Sequence, residues 1–437
     1  MFDALFTTTT EYKKLSHALS GKGACALFGL PASGRAQMYA ALCRQLDKPL
    51  CIVTPGEAEA TRFAADLNTL GIPAAVFPAR DYVLRPIEGT AREYEYRRLA
   101  VLGELVGGRL RAVAVPAEAL TQFTTPKEDF CANTRTLHAG DTLLRDDLLA
   151  ALFGAGYTRR AQVDGPGQFS VRGDIVDIFA PDQKMPVRME FWGDEIDTLH
   201  TFDLTTQRRE DAIDKFYLSP AREVLFGKPA DAAEQLRAFL AKQRGKKKTA
   251  MADCMAADLD LLDGGAVPVN MDKYLAVRYP HPATVLDYFD DPILVAEEPA
   301  SIREADRATA YRRGEELKSL ILDGVLCAGL DNLYADPSYL WSKTGHYRTI
   351  CAENFARSMP DQPLKDIINT PAHALPAWNG EVAGLLEDLK PLCDAGYTVT
   401  LLAGTDRAAA GLARDLRDKG IPVSYTHLRA HETSAHL

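Results

Sequence analysis

The stretch Leu27–Gln37 reads LFGLPASGRAQ. Gly29 and Gly34 stand at the spacing of the phosphate-binding loop G-x-x-x-x-G-K-[ST]. In that loop backbone N–H groups cradle phosphates, the lysine reaches the β/γ-phosphates and the hydroxyl ligates Mg²⁺. Here Arg35 occupies the lysine position and Ala36 the hydroxyl position. A guanidinium keeps the charge without the compact ammonium, Ala36 offers a metal nothing, and Pro31 removes one N–H from the cradle. The expectation is a degenerate loop: a strand–turn–helix junction that keeps its glycines for geometry and binds neither nucleotide nor metal.

Working outward, the surrounding sequence alternates strand and helix. ACALFGL, PLCIVTP and GIPAAVFP read as short buried strands. SGRAQMYAALCRQL and GEAEATRFAADLNTL carry apolar residues at helical spacing, with Phe63, Leu67 and Leu70 on one face of the second. A further helix, TAREYEYRRLAVLGELVGG, and a strand, RAVAVP, follow. Strands alternating with helices of this length predict an α/β body with a parallel sheet. The strand ILVAEEP (293–299) ends in two acids. Beside a working phosphate loop such acids would position a metal. Without one, Glu297 and Glu298 are read as structural or solvated.

Between Gly156 and Asp203 the pattern becomes period two, broken by GPG, RGD, APD and GDE. That predicts an antiparallel meander in a small α+β domain. In VRMEFW, alternation puts Val187, Met189 and Phe191 on the core face and Arg188, Glu190 and Trp192 together on the other. In QFSVRGD the same rule buries Phe169 and Val171 and turns Arg172 outward. A large ring beside a multidentate donor is the composition of an interface hot spot, although a cross-strand Arg–Glu pair under the indole would give the same pattern on an ordinary surface. Further on, FGKPADAAEQLRAFLAKQRGKKK is read as one helix ending in a basic run, YTVTLLAG (397–404) as a strand and TDRAAAGLARDLRDKG as a helix.

The 437 residues imply several domains, and the 46% apolar and 25% charged composition is that of a soluble globular chain. No apolar run is long enough to span a bilayer and no signal peptide opens the chain, so a cytoplasmic protein without membrane contact is expected. The net charge of −10 provides no global footprint for nucleic acid; the run Arg244 to Lys248 is the local exception, expected to support only weak, salt-sensitive DNA contact. Eight scattered cysteines without a C-x-x-C read as reduced thiols, with no disulfide framework or zinc site. The last residues, VSYTHLRAHETSAHL, carry three histidines but no core-forming pattern, and residues 424–437 are read as a non-native tail.

At the quoted meander a resemblance enters. The run GYTRRAQVDGPGQFSVRGDIVDIFAP…VRMEFWGDEIDTLHTFDLTTQRR resembles, in order and spacing, the module shared by UvrB and the bacterial transcription-repair coupling factors, the Mfd family. UvrB-like chains keep an intact phosphate loop and a tyrosine-rich hairpin for damaged DNA. Here the loop is broken, and FPARDYVLRPIEGTAREYEYRRLAVLGELVGG passes straight into a helix with no room for that hairpin. Both departures place the resemblance with the coupling factors, over residues 1–423.

The resemblance implies a degenerate NTPase-like (UvrB-like) α/β domain of residues 1–126 and 213–312, split by an inserted UvrA-interaction domain at 127–212, and a third α/β domain at 313–423. It places UvrA-contacting positions on Arg172, Arg188 and Trp192, with Glu190 between them, and matches Arg159 to an arginine used by the UvrB version. Trp192 stands where the family usually has Phe. It further implies that the parent's RNA-polymerase-binding domain and its ATP- and Mg-dependent motor on double-stranded DNA lie downstream. This chain would then be non-catalytic, would hold no cofactor, and would perform UvrA recruitment in transcription-coupled nucleotide excision repair. The alternatives are a UvrB-like excinuclease subunit binding damaged DNA, and an NTPase or helicase half whose site uses Arg35.

Overall fold

The structure is a computed structural model and describes residues 6–87, 92–359, 362–370, 382–397, 399, 401, 405–421 and 423. The strand expected over 397–404 falls largely outside the described residues, and the tail 424–437 falls wholly outside them.

The first strands are β1 (Gly23–Phe28), β2 (Leu50–Thr54), β3 (Ala74–Val76) and β4 (Ala112–Pro116). Helices Ala32–Leu46, Glu57–Thr69 and Glu93–Val106 alternate with them. The inserted region then supplies β5 (Arg135–His138), β6 (Thr158–Arg159), β7 (Gln168–Arg172), β8 (Ile175–Phe179), β9 (Val187–Trp192), β10 (Glu195–Phe202), β11 (Arg209–Ala212) and β12 (Lys215–Leu218). The chain returns to the first body with β13 (Ile293–Glu297), β14 (Arg348–Glu353) and β15 (Leu364–Asn369).

Seven strands pair, all in parallel, in the order β15-β1-β14-β13-β2-β4-β3. Their side chains are buried on both faces: Cys25, Leu27, Ile52 and Val295 pack under the helices of one side, and Ala26, Val53, Leu294 and Cys351 under those of the other. Two-sided covering explains why these strands read as continuous apolar runs rather than as alternations. The fold is thus a mixed α/β structure with a parallel-sheet body and a separate antiparallel sheet.

That second sheet has the order β11-β10-β9-β8-β7-β6. It is antiparallel except for the β6–β7 pair, which is parallel. One face packs Phe169, Val176, Ile178, Val187, Met189 and Leu199 against the helix Arg145–Gly154, through Leu148 and Leu152.

Three expectations are corrected. The inserted domain does not end at residue 212: β12 pairs with β5, and Phe216, Leu218 and Ala221 join the inserted domain's core. The body does not give way to a third domain near residue 313. That position lies inside the helix Pro299–Leu322, β14 and β15 complete the parallel sheet, and the compact unit runs to Thr370. The basic run does not end a helix: one helix covers Pro229–Ala241, and a second, Gly245–Asp263, begins with the lysines. Gly245 takes φ 59, which breaks the helical path between them.

The second compact unit, Pro371–Leu437, contains helices Val382–Asp394 and Asp406–Asp418, joined through Leu385, Leu389 and Leu416. Thr405 caps the second by accepting the Ala408 N–H at 3.2 Å.

Among the described residues no helix is long and apolar enough to cross a membrane. The described cysteines are free; five are buried, while Cys131 and Cys393 are exposed and Cys254 is half-buried.

Candidate functional site

Two places bring together the residues singled out in the sequence. The first is the glycine turn after β1. Gly29 takes φ 89, and a Cβ there would lie 2.4 Å from the Thr370 carbonyl oxygen, so only glycine fits. Its N–H is spent on the Glu353 carbonyl at 3.3 Å. The following helix starts already at Ala32, and the Arg35 N–H donates to the Pro31 carbonyl at 2.9 Å. Amides that could cradle an anion are thus wound into a helical turn. Gly34 sits with its Cα close to Leu30, whose Cδ2 would lie 3.2 Å from an added Cβ.

Arg35 is 2% exposed. Its Nε is 3.2 Å from Glu297 Oε2, and its Nη1 donates to Glu298 Oε1 at 2.9 Å. Tyr39 donates its hydroxyl proton to Glu297. Burial pushes the Glu297 carboxyl up to about 7, against the pull of Arg35 and Tyr39. The two acids are therefore counterions of Arg35. Ala36 is fully buried against the helix's own core.

The second place is the outer face of the six-stranded sheet. Alternation in β9 is as expected: Val187, Met189 and Phe191 are buried, while Trp192 is 82% exposed at the strand's end, before a turn in which Gly193 takes φ 62. Pairing across the sheet then sets the neighbours. Asp177 of β8 lies opposite Ser170 of β7 and opposite Arg188 of β9. Its carboxylate is 1% exposed and accepts from Arg188 Nε at 2.7 Å and Nη2 at 2.9 Å, and from Arg172 Nη2 at 2.7 Å. Arg188 also donates Nη1 to the Gln207 carbonyl at 3.2 Å, and its guanidinium carbon lies 4.6 Å from the Phe202 ring centre. Phe202 belongs to a small apolar cluster with Val163 and Phe179 on this same face.

Glu190 does not pair with Arg188. It lies opposite Thr198, accepts from its hydroxyl at 3.3 Å, and is ion-paired with Arg209 of β11. Arg172 is half free: one nitrogen is held by Asp177 while the side chain is 47% exposed. The face therefore presents an anchored guanidinium (Arg188), a partly free one (Arg172), a paired carboxylate (Glu190) and a free indole (Trp192).

The register places two further residues of this sheet. In β7 it is Ser170 that is fully buried, while Val171 is half-buried. Ser170 lies opposite Asp177 in the register, and Val171 still packs on the core side, as alternation has it. Arg159 is not on the outer face. It lies in β6, at the far edge of the sheet, with β7 and β8 between it and β9. Its register partner is Phe169, a core-side residue, and directly opposed residues project to the same side. Asp177 is the functional residue that sequence reasoning missed. Alternation in IVDIF does place it outward, but only the register reveals that two arginines converge on it.

These features define a chain with a two-sided parallel body, a phosphate turn closed on its own arginine, and an inserted sheet with an arginine–indole outer face. A family profile described as the UvrB interaction domain matches residues 136–224, the region containing that sheet. The chain is similar to the transcription-repair-coupling factor of Bacillus subtilis (strain 168), 25% identical over 411 residues, which are 92% of this chain and 35% of that protein. It is likewise similar to the transcription-repair-coupling factors of Staphylococcus aureus (strain MRSA252), at 23% over 403 residues, and Staphylococcus haemolyticus (strain JCSC1435), at 24% over 408 residues; each match covers 90% of this chain and 34% of the relative. Residues 136–224 thus match the UvrB interaction domain, and the chain is similar to the transcription-repair-coupling factors along about nine-tenths of its length. It spans about a third of the length of the curated relatives it matches.

Proposed function

We propose that this chain is a recruitment module of transcription-coupled nucleotide excision repair, docking UvrA on the outer face of the inserted sheet. Arg172, Arg188 and Trp192 form the contact, with Glu190 setting the charge pattern beside them. The observation that carries this reading is the exposed indole of Trp192 beside two guanidiniums oriented by one buried carboxylate. A rigid aromatic next to pre-oriented donors loses little entropy on binding. In the parent protein the same step would bring UvrA to a stalled RNA polymerase, with polymerase contact and ATP-driven movement on double-stranded DNA supplied by other domains.

The phosphate turn takes no part in this. The pairing of Arg35 with Glu297 and Glu298 supports a site that holds neither nucleotide nor magnesium. Calorimetry with purified UvrA tests the docking: micromolar or tighter binding lost on Trp192→Ala is expected, and undiminished affinity of that variant would overturn it. Tight binding of damaged duplex at physiological salt would favour the UvrB-like alternative, and ATP binding abolished by Gly34→Val the NTPase alternative.

A further inference from the structure

A cleft of about 690 Å³ opens where the edge strand β6 meets the helix Glu93–Val106 and the chain that follows β12. Four arginines line it: Arg92, Arg159, Arg160 and Arg222. Its one lining acid, Asp272, is engaged elsewhere, accepting from Arg80 at 2.7 and 3.0 Å. Arg92 is neutralised by Glu95 at 2.8 Å. Arg222 donates Nη1 to the Tyr96 hydroxyl at 3.2 Å and to the Ala221 carbonyl at 3.1 Å. Arg159 and Arg160 form no ion pair among the described residues. Glu95 and, more weakly, Asp272 also attract Arg222. The positive charge left without a partner in this concavity, among the described residues, is thus that of Arg159 and Arg160, on a chain of net charge −10.

The floor of the cleft is closely built. Gly156 takes φ 82, and a Cβ there would meet Arg222 Cγ at 2.8 Å. Gly167 takes φ 74, and a Cβ there would meet the Tyr96 hydroxyl at 2.8 Å. Two left-handed glycines therefore let the backbone close on the Arg222 stem and the Tyr96 ring, which holds both in place. Phe153 and Tyr157 add apolar wall.

Guanidiniums set in a concave wall lose hydration and focus a positive potential, which a polyanion offsets. Their planar forks match phosphate oxygens. The volume lies within the roughly 300–1,000 Å³ of small-molecule sites and exceeds the need of a lone phosphate. We propose that this cleft binds a phosphorylated small molecule with a ring-bearing body, of the size of a nucleoside diphosphate, with Arg160 and Arg222 taking the phosphates and Tyr96 flanking the ring. The site is separate from the closed turn at Gly29 and from the outer face that carries Trp192.

Isothermal titration of the full chain at low salt tests it, with ADP, pyrophosphate and adenosine as probes. ADP is expected to bind with a Kd below about 100 μM, a range ordinary for small-molecule sites. Pyrophosphate should bind more weakly and adenosine weakest. Arg160→Glu, on an exposed edge, should weaken ADP at least tenfold while leaving the thermal transition in place, and Arg222→Ala should do the same if it folds. No heat up to millimolar ADP would overturn the proposal, as would an affinity unchanged in Arg160→Glu. Loss of binding in Arg35→Met but not in Arg160→Glu would assign the ligand to the first glycine turn and also overturn it. A single-stranded oligonucleotide binding ten times tighter than ADP, with the same arginine dependence, would replace the small molecule by a nucleic-acid strand and overturn the assignment as stated.

Discussion

Asp177 and Arg188 stand opposite each other on neighbouring strands, and the buried carboxylate accepts two hydrogen bonds from the guanidinium, at 2.7 and 2.9 Å. Arg172 adds a third at 2.7 Å. Asp177 therefore fixes the direction of both arginines before any partner arrives. Asp177→Asn should leave two guanidiniums without their counter-charge and destabilise the inserted sheet by about 3–5 kcal/mol, the range for breaking a buried pair. Urea denaturation followed by circular dichroism reads this directly; an unchanged midpoint would show that the cluster contributes no net stability.

Trp192 separates binding from folding. Its side chain is 82% exposed, so Trp192→Ala should change stability by no more than about 0.5 kcal/mol. The same substitution should weaken UvrA by about 2 kcal/mol, roughly thirtyfold, as truncation of an interface anchor does. Arg188→Ala should weaken UvrA by a similar amount but also lower stability, because Asp177 loses its main partner. Calorimetry and thermal melts on the same preparations distinguish the two variants.

At the phosphate turn, Arg35→Ala would leave Glu297 buried without its guanidinium, held only by the Tyr39 hydroxyl, and a loss of about 3 kcal/mol is expected on that account. Arg35→Met, of similar length and uncharged, should cost less when Glu297 is also changed to Gln. A double-mutant cycle measures the coupling, and a coupling energy near zero would show that the pair is incidental.

Glu297 also sets a pH dependence. Burial raises its carboxyl from the ordinary 4.5 to about 7 in the folded protein. The native state thus binds this proton more tightly than the unfolded chain. Its contribution to stability is complete below about pH 4.5 and is lost as the pH rises through about 7. Between those values Glu297→Gln should flatten the fall in stability relative to the parent. Chemical denaturation at pH 5 and pH 8 checks the sign, and parallel pH profiles for the two proteins would refute the assignment.

Gly29→Ala tests the turn itself. At φ 89, with the Thr370 carbonyl 2.4 Å from the new Cβ, the substitution should cost more than about 1 kcal/mol. A melting temperature equal to the parent's would mean that the turn relaxes freely.

Much of this arrangement was legible in the linear text. Apolar runs bounded by glycine and proline marked β1, β2, β4 and β13, because strands covered on both faces need apolar side chains at every position. Period two in Val187–Trp192 assigned three residues inward and three outward, because the pleat alternates. The replaced lysine and hydroxyl at Arg35 and Ala36 announced a turn without the groups that hold phosphate and metal. Residue type and local spacing carry all of this.

Partners and boundaries were decided only in three dimensions. Tyr39 and Glu297 are 258 positions apart in the chain, yet Tyr39 donates to Glu297 and Arg35 flanks it, because the parallel sheet sets β13 between β14 and β2 and brings its carboxyl end to the helix after β1. Asp177 meets Arg188 through strand register, which alternation leaves open. β14 pairs between β1 and β13, β15 extends the sheet beyond β1, and β12 pairs with β5 of the inserted domain, contacts between strands far apart in the chain. Sequence determined which side chains face out and which residues stand at the lysine and hydroxyl positions of the glycine turn, since those follow from each residue and its nearest neighbours. Tertiary structure decided which charges neutralise each other and where each domain stops, since those depend on contacts between segments far apart in the chain.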